Sequence, residues 1–169
     1  MSNKPKPDEY APFYAGYINL VGDEPILDIL DNQKENTYSF FADIDAAKAD
    51  YAYGEGKWTI KEVLGHLIDA ERTFAYRILA FARGQEELPG FDENAYVENA
   101  DFGSRLLKDL AAEFRQVRAS NMYLFRSLTP RQLTATGLAN NNKISVRALL
   151  YIAAGHEMHH LNIIKERYF

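Results

Sequence analysis

Apolar side chains recur every three or four residues along four long segments of this 169-residue chain, and nowhere do apolar and polar residues alternate over the length of a strand. We therefore predict four long helices, over residues 24–44, 59–84, 104–128 and 145–169, and a short helix over residues 10–21. Amphipathic helices of this length bury their apolar faces against one another. The sequence thus predicts an all-α fold, a four-helix bundle with a short extra N-terminal helix.

Several boundaries of these helices carry their own signals. Thr59 and Glu62 form a T-x-x-E capping box, Gly84 ends that helix, and Ser145 is placed to cap the last one. The three asparagines at 140–142 predict a turn. The connection over residues 84–103 is unusually long, and loops of that length tend to be functional. We expect it to cover one mouth of a site.

Composition indicates the class of protein. With 47% apolar and 25% charged residues, the chain has the composition of one soluble domain, which we place at residues 10–169. Residues 1–9 are polar and contain two prolines, so we predict a flexible tail. The net charge of −5 gives no general attraction to nucleic acid or to a membrane surface. No apolar stretch suits a signal peptide or a membrane span, so we expect a cytoplasmic protein.

The chain contains no cysteine. This excludes disulfides, thiolate metal sites, iron–sulfur clusters and a cysteine nucleophile. Any thiol that takes part in a reaction of this protein must therefore come from a second molecule.

All four histidines fall on two of the predicted helices. His156 and His160 are four residues apart and flank the centre of the apolar stripe of the last helix, so both point into the bundle. Two inward imidazoles each need a partner, and a shared metal ion supplies one to both. The alternative is a pair of packed core histidines with one hydrogen bond each. His159 falls at the edge of the stripe, where an exposed or supporting position is expected.

Two known metal motifs match this region only formally. Residues 156–160 read H-E-x-x-H, the zinc-protease pattern in which the glutamate is the general base, but no histidine follows His160 and Glu166 lies off the stripe. A di-iron bundle needs a second E-x-x-H, which this sequence lacks. The third ligand must therefore come from upstream, where His66 is the only histidine.

The sequence thus predicts a metal site formed by His66, His156 and His160. Three neutral imidazoles leave a divalent ion with open positions, as in catalytic rather than closed structural sites. Imidazole ligands suit zinc, nickel, copper and iron. We expect zinc or nickel, with iron as a further candidate.

The sequence assigns no catalytic acid or base. Arg77 lies on the side of its helix that faces the predicted site and could meet an anionic group of a substrate, although an exposed arginine in a salt bridge is the commoner situation. Asp69 and Glu71 are expected to be solvated helix charges. Tyr14 and Tyr17 are placed either to line the mouth of a pocket or simply to pack.

Three stretches carry a resemblance to a known family: residues 56–72 (GKWTIKEVLGHLIDAER), 89–92 (PGFD) and 154–161 (AGHEMHHL). They resemble the DinB-like family of metal-dependent bundle proteins, and the similarity runs from about residue 10 to the end. The resemblance implies a four-helix bundle, a homodimer, and a metal site made by a histidine of the second helix and an H-x-x-x-H of the last. Those positions are His66, His156 and His160 here.

The resemblance also bears on function. Members of the family with a known activity are similar to thiol S-transferases or thiol-dependent isomerases that use a low-molecular-weight thiol. This implies a metal-dependent enzyme that joins a small thiol co-substrate to an electrophilic small molecule, as in detoxification. The alternative is a non-catalytic metal- or ligand-binding bundle, such as a stress-response protein that only sequesters its ligand.

Overall fold

The structure, a computed structural model, describes residues 4–169. Its long helices are α2 (Ile26–Ala42), α3 (Ile60–Ala82), α5 (Leu107–Arg126) and α7 (Val146–Arg167). Shorter elements are the helices α1 (Ala15–Leu20), α4 (Glu93–Asn99) and α6 (Pro130–Leu133), and the strands β1 (Glu87–Leu88), β2 (Thr136–Ala139) and β3 (Asn142–Ser145). Single 3-10 turns lie at Pro7–Glu9, Pro12–Tyr14, Ala46–Lys48 and Phe102–Ser104. None of the described helices is long and apolar enough to span a bilayer.

The predicted four-helix bundle is confirmed, and the predicted caps form. The Thr59 hydroxyl accepts the Glu62 N–H at 3.2 Å, and the Glu62 carboxylate accepts the Thr59 N–H at 2.7 Å. The Ser145 hydroxyl accepts the Ala148 N–H at 3.0 Å. These bonds satisfy helix N–H groups that have no partner within the helix. They set where α3 and α7, the two helices that carry all the histidines, begin.

The order of the helices around the bundle differs from their order in the chain. Both α2 and α3 pack on α5 and on α7, so α2 and α3 lie at diagonal corners. The connections over residues 43–59 and 127–145 therefore join diagonal corners. The connection over residues 83–106 joins two neighbouring helices, α3 and α5, and is nonetheless the longest of the three. Its length is not needed to bridge the gap.

A layer of buried polar side chains divides the bundle core. There is one apolar cluster on each side of this layer, and every long helix contributes residues to both clusters. Seven of the buried polar side chains lie near the junction of the two apolar clusters, and they are Gln33, Thr37, His66, Glu71, Arg118, His156 and Glu157. We call these seven side chains the polar layer.

The strands form a small sheet that sequence analysis did not predict. β2 pairs antiparallel with β3 and parallel with β1, in the order β1-β2-β3. The expected turn at 140–142 is confirmed, because Asn140 and Asn141 adopt the left-handed φ values of 51° and 61° that a tight hairpin requires. Strands of two to four residues are too short for alternation to stand out. The sheet ties the connection after α3 to the start of α7.

The predicted flexible tail is described only in part. Residues 1–3 lie outside the described residues. Pro7–Glu9 form a 3-10 turn, and the Glu9 carboxylate pairs with Arg147 at 2.6 Å. The single domain over residues 10–169 with a flexible tail before it stays a prediction.

Candidate metal centre

Helices α3 and α7 bring three imidazoles together within the bundle. The Nε2 atom of His156 lies 3.0 Å from Nε2 of His66 and 3.2 Å from Nε2 of His160. One ring nitrogen from each of the three lies within 4.8 Å of the others. Zinc–nitrogen bonds of about 2.0–2.1 Å place two ligands at ordinary coordination angles roughly 2.9–3.4 Å apart. The two short distances therefore fit a single shared ion.

Burial keeps these imidazoles neutral. His66 and His156 are 5% and 7% exposed. Burial lowers the pKa of His66 to about 4, and burial together with the neighbouring histidines lowers the pKa of His160 to about 3. The pKa of His156 lies well below its ordinary value for the same two reasons. A neutral imidazole is the form that binds a metal ion.

Aromatic rings pack around the three histidines. The Trp58 ring, just before α3, lies 4.8 Å from the His66 ring. The rings of Tyr17 and Phe74 meet the His156 ring edge-on, at 5.4 Å and 5.5 Å. These contacts restrict the rotation of the imidazoles, so the ring nitrogens are held close together before any ligand arrives.

A close helix contact positions Tyr17. At Gly155, the residue before His156, a Cβ atom would lie only 2.0 Å from the carbonyl oxygen of Tyr17. The absence of a side chain therefore allows α1 to lie directly on α7 at the level of the histidines. The short N-terminal helix expected from the sequence is present, and it forms one wall of the site.

The three histidines open into a cavity of about 530 Å³. Both Tyr14 and Tyr17 line it, which agrees with the first of the two alternatives that the sequence left open for them. The long connection after α3 contributes Gly90, Phe91 and Glu93, and the β2–β3 hairpin adds two asparagines. A space of this size suits a small molecule. The long connection between α3 and α5 therefore forms part of the wall of the cavity.

Of the two alternatives for Arg77 the exposed one is wrong, and so is the expectation of a solvated Glu71. Arg77 is not exposed: it is 5% accessible and lines the cavity. Glu71 is not solvated: it is 3% accessible and belongs to the polar layer. The reason is that α3 is covered on several sides, by α5, α7, α4 and β2, whereas an apolar stripe along a helix predicts a single buried face. Asp69 is half-buried beside Arg72.

His159 occupies the expected edge position. It is half-buried, lines the cavity and packs against the Tyr17 ring at 5.3 Å. It is not one of the three converging histidines.

Glu157 faces away from the histidines, so the rejection of the zinc-protease motif is supported. Its carboxylate accepts hydrogen bonds from the Thr37 hydroxyl and from Nη2 of Arg118, the latter at 2.8 Å. The same arginine donates to both carboxylate oxygens of Glu71, at 2.8 Å and 2.9 Å. Glu157 is therefore a structural partner of Arg118 rather than a base in the cavity.

Glu93 was not predicted from the sequence as a residue of the site. Its carboxylate lies at the cavity rim, near enough for its charge to oppose the effect of burial on the pKa of His66. Asp92 fixes its position, because the Asp92 side chain accepts the N–H groups of Asn94 and Ala95 and so begins α4. The signal that could have found it is this cap, an aspartate that opens a helix inside the long connection.

The comparisons with known proteins agree on the fold. The model of the DinB superfamily matches residues 29–164. YfiT from Bacillus subtilis, described as "a probable metal-dependent hydrolase with an unusual four-helix bundle topology", superposes with a TM-score of 0.70 at 21% identity, over 96% of this chain and 90% of that one. YjoA, a DinB-like protein from Bacillus subtilis, superposes with a TM-score of 0.61 at 21% identity, over 85% of this chain and 88% of that one. No curated protein matches the sequence.

Proposed function

The chain belongs to the DinB superfamily, and on that premise we propose that it is a metal-dependent enzyme acting on a small molecule. His66, His156 and His160 hold the divalent ion, which we expect to be zinc or nickel. The observation that carries the proposal is the convergence of three Nε2 atoms on the wall of a cavity. Three ligands leave coordination positions open to substrate. The description of YfiT as a probable metal-dependent hydrolase supports the same general class.

The reaction we propose is thiol S-transfer. A divalent ion held by His66, His156 and His160 would lower the pKa of a thiol or water bound to it toward neutrality. Glu93, at the rim of the same cavity, accepts the proton released from the thiol. The thiol sulfur then forms a bond to an electrophilic carbon, whose leaving group departs with its electron pair. Because the chain has no cysteine, the thiol is a separate low-molecular-weight co-substrate.

Two broader proposals concern location and assembly. We propose that the protein is cytoplasmic and, from the family resemblance, that it forms a homodimer. Sedimentation equilibrium tests the second directly, since it returns the mass of one chain or of two.

The first experiment is elemental analysis of protein purified without an affinity tag and without added metal. We expect about one divalent ion per chain in the natural protein and none in the double variant His156→Ala, His160→Ala. The matched control is His159→Ala, which removes a neighbouring imidazole outside the converging set and should keep the ion. Protein that stays metal-free when zinc, nickel and iron are offered overturns the proposal.

The second stage is turnover of electrophiles with and without an added thiol. Glu93→Gln should keep its metal and lose roughly 10²–10⁴-fold in rate, the usual contribution of a general base. Turnover without any thiol would replace S-transfer by hydrolysis. A full metal content with no turnover would favour the non-catalytic metal-binding bundle.

A further inference from the structure

Arg77 is a buried cation without an anionic partner. Its Nη2 donates to the Pro89 carbonyl at 3.3 Å, its Cζ lies 5.6 Å from the centre of the Phe91 ring, and the Tyr14 hydroxyl is close by. Among the described residues no carboxylate forms an ion pair with it. A guanidinium carries five N–H donors and stays charged in proteins. Most of its hydrogen-bonding capacity therefore remains for a ligand.

The second buried arginine of the chain, Arg118, shows how the fold neutralises a buried guanidinium. Arg118 is 1% exposed, and two carboxylates, Glu71 and Glu157, neutralise it through three hydrogen bonds of 2.8–2.9 Å. Burying a charge without such partners is costly. Arg77 is 5% exposed and faces the cavity instead. The counter-charge that the fold supplies to one arginine is missing at the other.

Arg77 and the three histidines share one cavity but lie apart along α3. At 1.5 Å per residue, the backbones of His66 and Arg77 are roughly 16 Å apart along the helix axis. Helical side chains lean toward the helix N-terminus, so the guanidinium reaches back toward the histidines. A ligand that touches both must be an elongated small molecule with its two functional ends several bonds apart.

We propose that the cavity takes a small molecule with an anionic group, of the carboxylate class, at one end, and that Arg77 docks this group while the other end reaches the histidines. This inference rests on the proposed function for the identity of the reacting end. The docking of the anion depends only on Arg77 and its surroundings. Arg77 is accordingly a residue that determines which small molecules are accepted.

The chain contains its own reporter for this site. Trp58 is the only tryptophan and lines the cavity, so a bound ligand changes its fluorescence. The probes are 6-mercaptohexanoate and 6-mercaptohexan-1-ol, which share a thiol and a chain length and differ in charge. Each is titrated into the full-length protein with and without one zinc ion per chain.

We expect the carboxylate probe to bind about tenfold or more tightly than the alcohol, with or without zinc, as is typical of a hydrogen bond to a charged group. In Arg77→Gln this preference should disappear while the affinity for the alcohol stays the same. Arg77→Lys should retain part of it. Arg72→Gln is the matched control, because Arg72 lies on the same helix but is half exposed and already pairs with Glu113 at 2.6 Å.

The two axes of the experiment separate the two proposals. Equal affinity for both probes in the natural protein, or a preference that survives in Arg77→Gln, overturns the anion site. An affinity for both thiols that zinc leaves unchanged contradicts the proposed metal-dependent thiol chemistry, and the charge preference is then judged on its own. If Arg77→Gln does not fold, the comparison of the two probes in the natural protein still decides, because equal affinities overturn the anion site.

Discussion

At the scale of single residues, the three converging imidazoles couple the protonation of the protein to its stability. An unfolded histidine has a pKa near 6.5. In the folded protein without metal the pKa values of His66 and His160 fall to about 4 and about 3, because burial disfavours the charged ring. Between these limits the unfolded chain binds more protons than the folded one, so falling pH favours unfolding.

We therefore predict that the metal-free protein loses stability as the pH falls from about 7 toward 4. A histidine that is protonated only when unfolded contributes a slope of about 1.4 kcal/mol per pH unit. Urea unfolding followed by circular dichroism at pH 7, 6 and 5 measures it. The double variant His156→Ala, His160→Ala should show a shallower dependence, and an identical slope in both proteins would contradict the assignment.

At the scale of elements, the polar layer joins the four long helices. Arg118 of α5 hydrogen-bonds Glu71 of α3, Glu157 of α7 and the backbone carbonyl of Leu30 in α2. Burial raises the pKa of Glu157, and the charge of Arg118 opposes that rise. The guanidinium of Arg118 thus connects all four long helices of the bundle.

Removing this guanidinium should be severe. We predict that Arg118→Met lowers the free energy of unfolding by about 3–5 kcal/mol, because it leaves two buried carboxylates without a cation. Denaturant unfolding at pH 7 measures the loss. Glu157→Gln keeps a partner for both Thr37 and Arg118, and should cost less and leave the metal content intact. Loss of metal in Glu157→Gln would reopen the role that the zinc-protease motif gives this residue.

The contact of α1 with α7 makes a second prediction at this scale. Gly155→Ala should destabilise the protein and displace Tyr17, since the added methyl group would overlap the Tyr17 carbonyl. Gly16→Ala is the control, because a Cβ there meets nothing within 4 Å. Thermal unfolding should show a loss for Gly155→Ala and a gain of up to about 1 kcal/mol for Gly16→Ala, the usual difference in helix propensity. Equal effects would show that the close contact does not matter.

At the scale of the whole molecule, the sequence predicts the features that depend on spacing along one helix. It does not predict the residues that distant segments of the chain bring to the cavity. The four-residue spacing of His156 and His160 is enough to bring both imidazoles to the same site inside the bundle. Glu93 and Phe91 reach the cavity only because β1 pairs with β2, about fifty residues later in the chain, and no local pattern encodes that pairing. The burial of Arg77 escapes prediction for a related reason, since it depends on how distant segments cover α3.

The two helices that carry the histidines are far apart in the sequence, so an ion bound by the cluster would act as a cross-link. His66 and His156 are 90 residues apart. An ion bound by both closes a loop of that length, as a disulfide would, but reversibly and in proportion to the concentration of free ion. At a hundred times its dissociation constant such an ion adds about 2.7 kcal/mol to the stability of the fold. The supply of metal in the surroundings would then set how long the folded chain survives heat, and a chelator would act on it as a reducing agent acts on a cross-linked protein.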